Sequence, residues 1–236
     1  MKKKVLLIAA IAAGFFTTNE LNAQENESNA GDFKPTGGEK NIEVNFAPLG
    51  SNPISINNLR FRYFMSSDMA VRVGFSVSSS SEKTPEEVID PSDPTETIEL
   101  EDKSSTFGIS INPGIEKHFE GTDRLSPYVG AVLNFSMLNT KEIDQDVDGT
   151  GDTYESETTG GSTTFGLNLV LGADWYFSKH FYMGTEVGFG FSSTNIKDDE
   201  ITNPAGPDTD TQTNINGSSF NLGPNFNSSI RLGFLF

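Results

Sequence analysis

The feature that most constrains this chain is the stretch Thr163–Ser192, TTFGLNLVLGADWYFSKHFYMGTEVGFGFS. Period two holds for more than ten residues on each side of Ser178-Lys179-His180. Phe165, Leu167, Leu169, Leu171, Ala173, Trp175 and Phe177 fall on one face of the first arm. Phe181, Met183, Thr185, Val187, Phe189 and Phe191 fall on one face of the second. Successive side chains of a strand point to opposite faces, so this is a β-hairpin. The opposite face holds Gly166, Gly172, Gly184, Gly188 and Gly190 with a few polar groups. A soluble sheet would carry charge there. A glycine face suits a narrow, crowded interior, and the apolar face then meets lipid.

The start of the chain supports export. Lys2, Lys3 and Lys4 precede the apolar run Val5–Phe16, which is too short for a comfortable membrane-spanning helix. Residues 1–23 are therefore expected to be a signal peptide, cleaved after Ala23. No cysteine follows, so neither N-terminal lipidation nor disulfides are expected. The mature chain carries 13 basic and 32 acidic residues, a net charge of −19. That balance argues against nucleic acid as a partner. No later run reaches the 18 apolar residues of a spanning helix, which leaves a barrel, whose lipid face uses every second residue.

Residues 24–38 are expected to be a flexible periplasmic leader, and residues 39–236 the barrel. The alternation predicts strands at about Lys40–Pro48, Ile56–Phe64, Met69–Val77, Ser105–Phe119 and Ser126–Met137. The opening hairpin adds two and Ser219–Phe236 one. Pro113 suggests a bulge. Long polar loops are predicted at Ser78–Ser104, Leu138–Gly161 and Ser193–Ser218. The connections at Gly50–Pro53, Ser66–Asp68, Glu120–Asp123 and Ser178–His180 are short. The expected fold is all-β: an eight-stranded antiparallel up-and-down transmembrane barrel with short periplasmic turns and long acidic extracellular loops.

In this register Gly74, Gly108, Gly114, Gly130, Gly166, Gly172, Gly184, Gly188, Gly190, Gly223 and Gly233 all face inward. A barrel of eight strands has room only for a filled core, so small residues belong there. Inward positions also hold Glu43, Arg60, Arg62, Arg72, Glu116, Asp174, Glu186 and Arg231, four charges of each sign near the short-turn end. Buried charge must be paired, so one ion-pair network plugging the periplasmic half is expected. A lipocalin is excluded because it is apolar inside. Here Phe61, Phe75, Phe107, Phe135, Trp175 and Phe234 face outward.

The last residues, SSIRLGFLF, alternate Ile230, Leu232, Phe234 and Phe236. This resembles the C-terminal signal read by the outer-membrane barrel-assembly machinery, with Phe236 as its end. Together with SPYVGAVLNF (Ser126–Phe135) and GADWYFSKHFYMGTEVGFGF (Gly172–Phe191), the chain resembles small outer-membrane β-barrel proteins of the OmpA/OmpX type over about Glu39–Phe236. The resemblance implies the outer membrane of a Gram-negative bacterium, with its lipids and the assembly machinery as partners. It implies no wall anchoring, since no peptidoglycan-binding domain follows. Such families include structural proteins, adhesins, narrow pores and a few lipid-modifying enzymes.

The three predicted loops hold 21 of the acidic residues and four lysines. Their bland reading is a solvated, repelling surface of disorder-prone composition. One passage is sharper: Asp144, Asp146, Asp148, Thr150, Asp152 and Glu155 occupy every specified position of a calcium-loop pattern. No helices flank it, and Gly151 stands where an apolar residue is usual. Calcium is the single candidate for a bound ion, and no other cofactor is expected. Catalysis has little support, because His118 and His180 both lie at the short-turn end and GxSxG, HExxH and P-loop patterns are absent. The expected role is structural or surface-interacting: a monomer presenting acidic loops to an unidentified extracellular ligand. A narrow pore is the alternative, and a lipid-modifying enzyme the third class.

Overall fold

The computed structural model describes residues 33–46, 54–202, 211–226 and 230–236. The expected signal peptide, most of the leader and the turn at 50–53 lie outside the described residues. Within the unit Phe33–Phe236 the strands are β1 (Lys40–Phe46), β2 (Ile54–Ser66), β3 (Met69–Ile89), β4 (Thr97–His118), β5 (Leu125–Val147), β6 (Thr153–Tyr176), β7 (Phe181–Ile196), β8 (Asp199–Thr202), β9 (Thr211–Asn214), β10 (Ser218–Phe226) and β11 (Ile230–Leu235). All pairings are antiparallel. Each strand from β1 to β7 pairs with the next, and β7 pairs with both β10 and β11. The ring closes where β11 pairs with β1. Strands β10 and β11 form one stave, so the barrel has eight staves and no free edge at its base.

The outside of this ring is apolar. Leu169 is 62% exposed, Leu171 58% and Phe189 54%, values that a water-facing wall would not tolerate in such number. Aromatic rings gather in two belts. Near the short turns Trp175, Phe177, Phe181, Phe234 and Phe236 follow one another at centroid separations of 5.1–6.2 Å. Higher up, Phe135, Phe165, Phe191 and Phe220 do the same at 5.1–6.2 Å. On β6 the belts are ten residues apart, Phe165 to Trp175. That is ~33 Å along a strand, and a tilt of about 40° projects it to ~25 Å, the apolar height of an outer-membrane barrel.

The predicted strands are too short at their upper ends. Ser78–Ser104 is a ladder, with β3 and β4 paired without slip from Met69↔Lys117 to Ile89↔Thr97. Leu138–Gly161 likewise pairs to Val147↔Thr153, and the third segment contributes β8 and β9. Above the membrane β3, β4, β5, β6, β8 and β9 make one continuous sheet. The physical reason is propagation. A hairpin already fixed by the barrel adds each further pair at little entropic cost, even where both faces are wet. Pro113 makes no bulge either. The β4–β5 ladder lapses at residues 112–113 and resumes in the same register, Ile111↔Phe135 and Gly114↔Val132. The irregularity sits instead in the last stave. Its pairing with β7 changes register between Phe226↔Val187 in β10 and Arg231↔Gly184 in β11.

The described end of the leader is seated on the base. Gly38 donates its N–H to the Phe64 carbonyl at 2.7 Å, Pro35 is buried, and the Arg124 guanidinium lies 3.8 Å from the Phe33 ring centre.

Candidate functional site

Period two sends Glu43, Arg60, Arg62, Arg72, Glu116, Asp174, Glu186 and Arg231 into the lumen from seven staves. The barrel is narrow enough for them to meet. All eight join one network. Arg62 is its hub: it reaches Glu43 at 3.0 Å, Glu116 at 3.0 Å and Asp174 at 2.5 Å. Arg231 bridges Glu43 (3.0 Å) and Asp174 (3.3 Å). Arg72 bridges Glu116 (2.7 Å) and Glu186 (2.5 Å). Arg60 closes the ring on Glu43 (3.3 Å) and Glu186 (3.5 Å), its two longest contacts marking the upper rim. Four charges of each sign cancel, and multiple carboxylate contacts offset the cost of desolvating each guanidinium.

Three tyrosines complete the plug, and the sequence reading passed over them. Tyr128 donates its hydroxyl to Glu186 (2.7 Å) while accepting from Arg231 (2.8 Å), and Tyr182 donates to Glu43 (2.6 Å). Tyr176 packs against Tyr182 at a tilt of 36°, centroids 5.0 Å apart. Their rings, with Phe64, Ala70 and Leu235, are buried below the charges. Two glycines make the space. A Cβ on Gly172 would stand 2.3 Å from the Tyr128 ring, and one on Gly233 2.0 Å from the Tyr182 ring. Inward parity was the available signal for these tyrosines, since Tyr128 and Tyr182 share it with Glu116 and Glu43.

One constellation resembles catalytic machinery. Ser126 Oγ lies 2.9 Å from His118 Nδ1, and His118 Nε2 lies 3.3 Å from Glu116 Oε2. A hydrolytic triad needs its nucleophile at a cavity. Here the three are 4%, 3% and 0% exposed, and Glu116 is already taken by two arginines.

The calcium pattern does not close into a loop. Asp144 and Asp146 stand on β5 opposite Ser156 and Tyr154. Alternate residues of a strand are ~6.6 Å apart, whereas calcium ligands crowd round one ion at ~2.4 Å. Asp146 accepts from the Tyr154 hydroxyl (3.0 Å), and Glu155 from the Gln145 amide (2.9 Å). Asp148 caps the turn, accepting from Thr150 N (2.8 Å), Thr150 Oγ1 (2.6 Å) and Asp152 N (3.0 Å). The Thr150 hydroxyl and these N–H groups hold its carboxyl below the usual range. Gly151 adopts φ +88° to complete the turn, a left-handed conformation that glycine adopts without strain. Among the described residues no group of three acidic or histidine side chains converges as a metal site.

Phe236 sits at the base of the wall, 59% exposed, its ring stacked on Phe234 at 6.0 Å. Its backbone exchanges two hydrogen bonds with Lys40, which seals the seam between β11 and β1.

Residues 46–206 match the model of the OmpA-OmpF-like porin family. No curated protein matches the chain. Among solved structures it is similar to the outer membrane protein OprG of Pseudomonas aeruginosa, at 12% identity, covering 87% of this chain and 99% of that one, with a TM-score of 0.43. It is also similar to the N-terminal β-barrel domain of OprF from the same organism (12% identity, 86% and 100% covered, TM-score 0.33). The Ail protein of Yersinia pestis matches at 13% identity, 85% and 100% covered, TM-score 0.34.

Proposed function

We infer the role from one premise: the chain belongs to the OmpA-OmpF-like porin family. It is an integral β-barrel protein of the outer membrane of a Gram-negative bacterium, with a structural or channel role. Within that role we propose a closed, monomeric scaffold whose working part is the extracellular sheet. The observation that carries this is the plug. Eight paired charges above an aromatic layer fill the periplasmic half of the lumen, while the chain invests more than forty further residues in β-structure above the upper aromatic belt. No catalytic role is proposed, because Ser126, His118 and Glu116 are enclosed and committed to the plug. A narrow pore is the second reading, favoured by the porin family and by Arg60, whose long contacts leave it the loosest member of the network.

The orientation is testable on intact cells. External protease should cut at the exposed tips, Asp90–Glu96 and Val147–Thr153, and leave a membrane-protected barrel. Cuts that appear only after lysis would put the sheet on the wrong side.

A further inference from the structure

Above the plug the lumen widens into a cavity of about 300 Å³. Its wall carries five amides, those of Asn45, Asn58, Asn112, Asn134 and Asn168, beside Val132, Val170 and two glycines. Arg60, Arg72 and Glu186 form its floor. We propose that this blind chamber is a binding site for a small neutral polyhydroxylated solute, a mono- or disaccharide.

Three observations converge on that class. First, each asparagine offers two donors and one acceptor, and among the described residues the amides of Asn112, Asn134 and Asn168 have no side-chain partner. Several unpaired groups of mixed polarity facing one cavity match hydroxyls, which both donate and accept. Second, the floor adds a guanidinium that retains capacity upward, whereas the Glu186 carboxylate is already filled by Arg72 and Tyr128. Arg60 is 16% exposed, and it reaches Glu186 only at 3.5 Å. Third, charge excludes the competitors. The network beneath is neutral, and the hairpins round the mouth carry most of the chain's acidic residues. Their potential repels anions, and the neutral network of the floor offers no net charge to hold a cation. The volume holds about ten waters at ~30 Å³ each, the room a ring of hydroxyls and its second sugar would displace.

The test is a titration of the full barrel refolded in detergent micelles, read by the side-chain amide resonances of asparagine. Sucrose is the probe; sodium acetate and glycine are the charged comparators. Sucrose should shift the Asn112, Asn134 and Asn168 signals saturably. Acetate and glycine should bind at least tenfold more weakly. Replacing Asn134 and Asn168 together by leucine should weaken sucrose tenfold or more while the outer-hairpin signals stay in place. Equal or tighter binding of acetate or glycine would overturn the neutral-ligand assignment, as would sucrose shifts spread over the hairpins and not over the chamber. If the double variant fails to refold, the parental shift map alone decides. Absence of saturable chamber shifts with sucrose there refutes the site.

Discussion

Replacing Arg62 by alanine is expected to be the most damaging single change in the lumen. Arg62 is the hub, within 3.0 Å of Glu43, Glu116 and Asp174, and its side chain is fully enclosed. Its loss takes a partner from three carboxylates in a dry layer and leaves four acids to share three arginines. Removing one partner of a buried pair costs about 3–5 kcal/mol, and here the remaining arginines cannot serve all the acids. Arg60→Ala is the internal comparison. Arg60 is partly exposed and bonds at 3.3 and 3.5 Å, so its loss should cost nearer 1 kcal/mol. Urea unfolding of both variants in lipid vesicles measures the difference. Equal midpoints would show that the network carries no hierarchy of the kind its distances describe.

The second large effect lies on the opposite side of the wall. Leu169 is 62% exposed in the isolated chain, the position at which a soluble protein accepts any polar residue. Midway between the aromatic belts, Leu169→Arg should instead cost about 2–4 kcal/mol, the penalty for arginine at the bilayer midplane. Thr153→Arg, on the same strand at the exposed hairpin tip, should stay within about 0.5 kcal/mol. If the two substitutions cost the same in vesicles, β6 does not cross lipid where its belts place it.

Much of this was legible from the chain alone, for a physical reason. Between Phe165 and Phe177 one face meets lipid and the other a crowded lumen, so the alternation is written into residue type. Inward parity likewise brought Arg62 and Asp174 to one layer, though not to each other, since that pairing crosses the lumen over 112 positions of sequence. The outer hairpins were illegible because both of their faces meet water. Ser78–Ser81 and Thr158–Thr164 carry no apolar period, yet both lie in ladders, cross-linked by ion pairs such as Lys83–Glu101 (2.6 Å) and Lys141–Glu157 (2.9 Å). The calcium pattern shows the same limit. A spacing read as a wrapped loop is a paired strand, which holds Asp144 and Asp146 apart. The cluster of Ser126, His118 and Glu116 escaped notice because it needs the β4–β5 register, His118↔Tyr128, to bring Ser126 beside the ring.

The central claim is that a buried ion-pair plug shuts this barrel, and single-channel recording in planar lipid bilayers tests it most directly. The parent protein should insert without steady unitary openings, because the paired charges and the tyrosine layer lie buried across the lumen. Arg62→Ala, with its layer broken, should conduct where the parent does not. Steady, reproducible unit conductance from the parent itself would contradict the plug and make the pore reading the correct one.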